Sequence, residues 1–262
     1  MAILKSKDDL EKLRFSCRIT ASCLHHLKSL VKQGVSAKIL DDFARSFFLK
    51  YDAVPSFLNY SGLSSRPFQF ALCTSINEEI VHGFSSVDKI IPNNSVVGLD
   101  LGCNYKGLFS DAAISVIVGK VPDEVNMLVE NTKKALWDGI KTVKSGVRVG
   151  DIGFAVNRVA KKYKYGNVYE LGGHGVGYSV HEDPFIPNQG QKGQGVRLFE
   201  NQIICIEPMF NLGHDEVDFM DDGWTVKSKD RSLSAHWEHE VIVTKNGCEV
   251  LTHIEKDDIL PI

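Results

Sequence analysis

The sequence predicts an α+β fold of two similar halves, in which strands from both halves share one curved sheet and helices cover its outer face. Three observations support this prediction. Apolar residues follow a helical period near the start of the chain and a strand period after it. The segment 31–35 (Val-Lys-Gln-Gly-Val) is echoed by 143–147 (Val-Lys-Ser-Gly-Val), although two unrelated helix starts would leave the same echo. An amphipathic helix and then strands follow each copy, so we expect one domain with halves of about 1–120 and 121–262.

Two helices are predicted at the start of the chain and one in the second half. Over residues 10–31 apolar side chains recur at three- and four-residue steps, and Gly34 ends this first helix. Ser36 caps a second helix that includes residues 39–51. Residues 152–163 form the corresponding amphipathic helix of the second half.

Strands are predicted where short segments rich in apolar or β-branched residues lie between turn residues. These segments are 68–76, 96–101, 112–118, 202–210 and 237–244. The last strand closes a hairpin through Asn246-Gly247.

Composition limits the kind of function. The chain has 262 residues, of which 43% are hydrophobic and 24% charged, as in a globular protein with a substantial core. Its net charge of -3 gives no broad basic surface for nucleic acid, and no apolar stretch is long enough for a signal peptide or a membrane span. The six cysteines are scattered without a C-x-x-C pair. We therefore expect a cytoplasmic protein that acts on a small or peptide substrate, without binding nucleic acid or membranes.

Three carboxylates disturb the apolar strand pattern. Asp100 and Glu207 each interrupt a predicted strand, and Asp111 leads directly into one. A lone ionised carboxylate in such a place would be very costly, although any single one could be a hydrogen-bonded acid at a strand end. A bound divalent cation would satisfy charge and lone pairs together, so the three acids jointly predict a metal site.

Histidines and glutamates of the second half supply further candidate ligands. His174 and His181 lie in a glycine-rich stretch that matches no H-E-x-x-H motif. A lone histidine in such a stretch is more often a loop residue than a metal ligand. These two histidines are therefore candidate ligands only in combination with the buried acids. Glu238 and Glu240 share one strand face with His236, and the pattern does not choose between the two glutamates.

Short motifs run along essentially the whole chain in a characteristic order and spacing. They are Asn77-Glu-Glu-Ile-Val-His-Gly83, Asp100 with ten residues before Asp111, His174, His181, Ile206-Glu-Pro208 and Trp237-Glu-His239. Together they resemble the type I methionyl aminopeptidases of the pita-bread (creatinase/aminopeptidase) fold. The resemblance implies pseudo-twofold halves with a curved, mainly antiparallel sheet covered by helices. It also implies removal of the initiator methionine from new polypeptides.

The resemblance implies two divalent metal ions held by five side chains. These are Asp100, Asp111, His174, Glu207 and Glu238, with Asp111 and Glu238 bridging both ions. Glu238 is thereby chosen over Glu240. Four carboxylates and two dications would balance in charge, and one nitrogen among oxygen ligands suits Co, Mn, Fe or Zn without choosing between them.

The mechanism and the methionine pocket are also implied by the resemblance. A water activated by both ions would attack the carbonyl after the first residue, and Glu207 would handle its proton. His181 would steady the developing oxyanion, while His82 would contact the scissile amide nitrogen and help the leaving group. The residues lining the pocket would be Phe68, Cys73, His82, Val180, His181 and Trp224.

The implied partners are peptides and nascent chains, including those at the ribosome, that begin with methionine and have a small second residue. The chain's own start, Met1-Ala2, would meet this rule. We expect the protein to act as a monomer.

Some residues around the pocket depart from the family pattern. Gln69 replaces the usual proline after Phe68, Val180 stands where many relatives carry a larger side chain, and residues 60–67 align poorly. These departures leave the pocket shape open.

Two other functions compete with this interpretation. Proline-specific peptidases of the same fold, aminopeptidase P and prolidase, share the five ligands and both histidines, but they usually carry an additional N-terminal domain for which this chain has no room. A non-catalytic binding protein that kept the fold is the other alternative. It is disfavoured because every ligand position is filled.

Overall fold

The computed structural model describes residues 3–4, 6–62, 64 and 66–262. Outside these residues lie Met1-Ala2, which would meet the predicted substrate rule, and two residues of the poorly aligned stretch 60–67. The helices are α1 (Lys7–Leu30), α2 (Ala37–Lys50), α3 (Asp123–Ile140) and α4 (Val149–Tyr163), and a 3-10 turn covers Lys256–Asp258. The strands are β1 (Val54–Pro55), β2 (Cys73–Ile76), β3 (Glu79–Val81), β4 (Ser95–Tyr105), β5 (Leu108–Val118), β6 (Gly166–Asn167), β7 (Gly172–Gly175), β8 (Glu182–Pro187), β9 (Ile203–Ile206), β10 (Met209–Asn211), β11 (Val217–Phe219), β12 (Val226–Ser228), β13 (Ser234–His236), β14 (His239–Val243) and β15 (Cys248–Val250).

The first helix pair follows the predicted pattern apart from one boundary. α1 ends before Gly34, because Val31 is already extended and its N–H closes the last turn. Gly34, at φ +84°, instead makes the turn towards α2. Ser36 caps α2 as predicted, since its Oγ accepts the Lys38 N–H at 3.3 Å.

A second helix pair repeats this order. α3 was not located from the sequence, although its first turn carries the favourable acids Asp123 and Glu124. α3 packs against α4, as α1 does against α2. The echoed segments 31–35 and 143–147 link the two helices of each pair, and a helix and then strands follow each segment as predicted. The additional helix α3 makes the whole helix-helix-strand order recur.

The described strands pair antiparallel in four hydrogen-bonded groups. The first group places β4 between β5 on one side and β1 and β2 on the other. The largest group has the order β15-β14-β9-β7-β8. The two groups meet where Ala113 of β5 and Glu238 exchange backbone hydrogen bonds of 3.4 and 2.9 Å. The sheet of the first half is thereby joined to that of the second.

All five predicted strands have different bounds in the structure: 96–101 and 112–118 are parts of the longer β4 and β5, and the other three are shorter or divided. Of 68–76 only β2 is a strand, because the Ala71 and Leu72 N–H groups donate to the buried Asp41 carboxylate at 2.6 and 3.2 Å. The segment 202–210 divides into β9 and β10 around Pro208, which has no N–H to donate. The predicted strand 237–244 begins only at His239.

Helices cover the sheets and enclose the main apolar core. One large cluster of buried side chains lies under α1 and α2, and another lies under α3 and α4. Among the described residues, no helix is both long and apolar enough to cross a membrane.

Candidate active site

The structure brings all five predicted metal ligands to one place, where the sheets of the two halves meet. Asp100 and Asp111 lie on β4 and β5, Glu207 follows β9, Glu238 precedes β14, and His174 lies on β7. All five are buried. Carboxylate oxygens of Asp100, Asp111 and Glu238 lie within 4.8 Å of one another.

His174 faces this group of acids with one ring nitrogen. Its Nε2 lies 3.8 Å from Asp111 Oδ2, 3.6 Å from Glu207 Oε1 and 3.9 Å from Glu238 Oε1. Its Nδ1 lies 2.9 Å from the Gly175 carbonyl oxygen, which can only accept, so Nδ1 carries the proton. Burial lowers the His174 pKa to about 3, so the ring is neutral and Nε2 presents a lone pair to the acids. This is the tautomer of a metal-binding histidine.

Burial shifts the pKa values of the four acids upwards. Burial raises the Asp100 pKa to about 6. Burial and then repulsion between the acids raise the pKa values of Asp111, Glu207 and Glu238 well above the usual range. Within the described part of the chain, no Lys or Arg forms a salt bridge with any of them.

Three oxygens of this group also have no hydrogen-bond partner in the described structure. They are Asp100 Oδ1, Asp111 Oδ1 and Glu238 Oε1. Unpaired buried oxygens beside a neutral imidazole nitrogen form a donor set that fits divalent cations. The residues therefore fit the metal site that the sequence predicts.

Two neighbours of the ligands were not assigned a role from the sequence. His236 Nε2 lies 3.4 Å from Glu207 Oε2, on the strand face that the alternation of residues 236–240 indicated. Glu240 is fully buried, and its Oε2 accepts the Asp111 N–H at 3.0 Å. Burial raises the Glu240 pKa to about 8.

The acids form one end of a cleft with an aromatic wall. Side chains of Phe57, Tyr60, Phe68, Cys73, His82 and Trp224 line this cleft together with His181 and the five ligands. The Trp224 ring lies 5.3 Å from the Phe68 ring, and its Nε1 donates to the Arg66 carbonyl at 2.7 Å. The wall is thereby held by the segment that aligns poorly with the family.

Two residues that depart from the family pattern, Val180 and Gln69, do not line the cleft. Val180 is buried in one apolar cluster with Phe57, Phe68 and Cys73, but it does not itself line the cleft. Gln69 is exposed, so this departure from the family pattern lies outside the cleft.

His181 contacts both the acids and the cleft wall. Its ring centroid lies 4.3 Å from that of His174, and one of its ring nitrogens lies within 4.8 Å of an Asp111 oxygen. The Tyr60 hydroxyl lies 2.8 Å from His181 Nδ1. Tyr60 was not predicted as a site residue, and no sequence signal could show a contact across 121 positions.

His82 occupies a strained position at the wall of the cleft. Its φ is +59°, a conformation that non-glycine residues rarely adopt. The next residue must be glycine, since a Cβ on Gly83 would lie 2.4 Å from the Thr74 carbonyl oxygen. The His82 ring lies 6.1 Å from the Trp224 ring, and burial lowers the pKa of His82 to about 4. His82 is therefore neutral at pH 7.

Known proteins share both the sequence pattern and the fold. The pattern of metallopeptidase family M24 matches residues 11–245. The chain belongs to this family.

Three individual proteins show how similar this chain is to known structures and sequences. The methionine aminopeptidase of Aquifex aeolicus is 43% identical over 97% of this chain and 100% of its own. The crystal structure of the methionine aminopeptidase from Thermotoga maritima has a TM-score of 0.92 at 34% identity, covering 97% of this chain and 100% of that one. The prolidase of Pyrococcus furiosus has a TM-score of 0.75 at 22% identity, which shows the fold alone.

These comparisons confirm several predictions. The resemblance to methionyl aminopeptidases, the pita-bread fold and the class of metallo-exopeptidase are confirmed. Divalent metal binding is supported by the family and by the clusters of ligand atoms. The predicted methionine aminopeptidase activity is supported by the relatives.

Proposed function

We propose that this chain removes the N-terminal methionine from peptides and nascent proteins whose second residue is small. It acts on them in the cytoplasm, as a monomer of one catalytic domain with halves of about 1–120 and 121–262. Its substrates include chains that are still at the ribosome.

The observation that carries the proposal is the position of the acids at one end of an aromatic cleft. An apolar side chain can bind between Phe68, Cys73 and Trp224, while its own amino group and carbonyl lie towards the acids. Methionine suits this environment because its flexible thioether packs well against aromatic rings and sulfur. Val180 does not line this cleft, but it packs in one buried cluster with Phe68 and Cys73 and so supports these two lining residues.

Asp100, Asp111, His174, Glu207 and Glu238 would hold two divalent ions of Co, Mn, Fe or Zn. When bound, such ions would supply polarisation of the scissile carbonyl and an ionised water. The donor set supports this assignment, because the orphaned oxygens and the His174 Nε2 lone pair converge.

Three side chains handle protons and developing charge. Glu207 accepts the proton of the attacking water, and His236 lies beside its Oε2 at 3.4 Å. His181 donates a hydrogen bond from Nε2 to the developing oxyanion, because its Nδ1 is occupied by Tyr60. His82, neutral at pH 7, contacts the scissile amide nitrogen and assists the leaving amine.

A comparison of substrates tests this proposal. Purified protein supplied with Mn²⁺ should release methionine from Met-Ala-Ser and leave an X-Pro dipeptide uncut. Cleavage of the X-Pro dipeptide alone would instead indicate a proline-specific peptidase of the same fold. No cleavage of either, despite bound metal, would indicate a binding protein.

A further inference from the structure

Glu240, the glutamate that competed with Glu238 for the ligand position, lies at the junction between the two halves of the molecule. Glu238 pairs with Ala113 of β5 through two backbone hydrogen bonds. In an antiparallel ladder the next such pair would be Asp111 with Glu240, two residues along each strand. The backbone of Glu240 does not make that pair.

The reason is a change of partner along one edge of β14. The Glu240 carbonyl accepts the Leu251 N–H at 2.9 Å, and its N–H donates to Thr252 Oγ1 at 3.1 Å. Both groups therefore bond to the segment that follows β15 rather than to β5. This leaves the Asp111 N–H without its main-chain acceptor.

The Glu240 side chain replaces the missing bond. Its Oε2 accepts the Asp111 N–H at 3.0 Å, in a region where Glu240 is fully buried and Asp111 is 3% exposed. Without this acceptor the Asp111 N–H would be a buried donor with no partner, which proteins avoid. The bond spans from the first half of the chain to the second.

We infer that Glu240 is a positioning residue that holds the Asp111 backbone beside the Glu238 segment, so that both carboxylates face the same metal centre. This inference rests on the proposed function. Partners that orient metal ligands typically contribute about 10- to 100-fold to metal affinity. Glu240 is not among the described groups of converging ligand atoms, and its Oε2 is occupied by the Asp111 N–H.

The test measures Mn²⁺ binding to metal-free protein by titration calorimetry, alongside melting temperature, kcat and KM. Glu240→Met replaces the carboxylate with an apolar side chain of similar length that has no oxygen acceptor. Glu240→Asp keeps a carboxylate, but the side chain is one methylene too short to reach the Asp111 N–H. Both should weaken the Kd for Mn²⁺ by about 10- to 100-fold. Glu240→Gln keeps an oxygen that can accept the Asp111 N–H and should stay within a few-fold of the wild type.

Thr252→Val is the matched control, because it removes the hydrogen bonds of Oγ1 to the Glu240 N–H and to His239 Nδ1 and leaves the Asp111 N–H bond in place. It should lower the melting temperature and leave the Kd for Mn²⁺ unchanged. If Glu240→Met does not fold, Glu240→Asp decides the question in the same way.

Three results would overturn the inference. The first is an unchanged Kd for Mn²⁺ in folded Glu240→Met or Glu240→Asp. The other two are Mn²⁺ binding that Glu240→Gln or Thr252→Val weakens as much as Glu240→Met does. Wild-type protein that binds no Mn²⁺ would overturn the proposed function as well, so the two failures are distinguishable.

Discussion

The Tyr60 hydroxyl and His181 Nδ1 lie 2.8 Å apart and join the aromatic wall of the cleft to a predicted catalytic histidine. Burial raises the pKa of Tyr60, so its phenol is protonated at neutral pH. A hydroxyl that donates to Nδ1 leaves the ring proton on Nε2, where it can face the substrate.

Tyr60→Phe should therefore lower kcat by about 5- to 10-fold, the equivalent of about 1 kcal/mol for one hydrogen bond. KM should change little, because the aromatic ring remains in the wall. Steady-state kinetics on Met-Ala-Ser provides the measurement. Tyr178→Phe is a matched control, since its hydroxyl bonds Asp9 at the surface. An unchanged kcat in Tyr60→Phe would show that this contact does not orient His181.

His174 and His181 should separate by role although their rings are adjacent. His174→Ala removes a ligand nitrogen and should weaken metal binding and abolish most activity. His181→Ala leaves all five ligands, so it should keep its metal and lose about 10²- to 10³-fold in kcat, the scale for one oxyanion donor. Metal stoichiometry, melting temperature and kcat should be measured side by side. Loss of metal in His181→Ala would contradict its assignment.

His82→Ala should lower kcat by about 10²- to 10⁴-fold if His82 assists proton transfer to the leaving amine. Metal content should not change. A purely structural histidine would behave differently, because the folded fraction of the variant would keep full activity. His82→Asn provides a comparison, since asparagine tolerates the left-handed conformation that His82 adopts and cannot transfer a proton at neutral pH.

Removal of metal should abolish activity reversibly. The proposed reaction needs an ion-activated water, which the acids alone do not supply, so a strong chelator should inactivate the protein. Addition of Mn²⁺ or Co²⁺ after removal of the chelator should restore turnover, and the metal-to-protein ratio at half-restoration tests whether two ions are needed. Full activity in demonstrably metal-free protein is the outcome that this mechanism forbids.

Substrate selection should depend on the first two residues. Met-Ala peptides should be cut much faster than Met-Lys peptides, because a long second side chain would have to fit beside the metal ligands. N-terminal leucine should be a poor substrate, and efficient release of leucine would show that Val180 has widened the pocket. Rates on these three peptides at equal concentration provide the measurement. Equal rates on Met-Ala and Met-Lys would refute the second-residue rule.

The sequence by itself located α1, α2 and α4 and parts of β2, β4, β5, β9, β10 and β14, because apolar side chains must repeat with the pitch of the element that buries them. It also identified Asp100, Asp111 and Glu207 as candidate metal ligands, since ionised carboxylates in apolar strands require compensation. The family motifs added His174 and Glu238.

Tertiary structure decided the contacts that join distant parts of the chain. Tyr60 meets His181, and Glu240 takes the Asp111 N–H, only because the halves fold against each other. The start of β2 at Cys73 depends in the same way on the buried Asp41 carboxylate, which accepts the Ala71 and Leu72 N–H groups. Local pattern records which side chains must be buried, but the partner of a buried polar group is chosen by the packing of the whole chain.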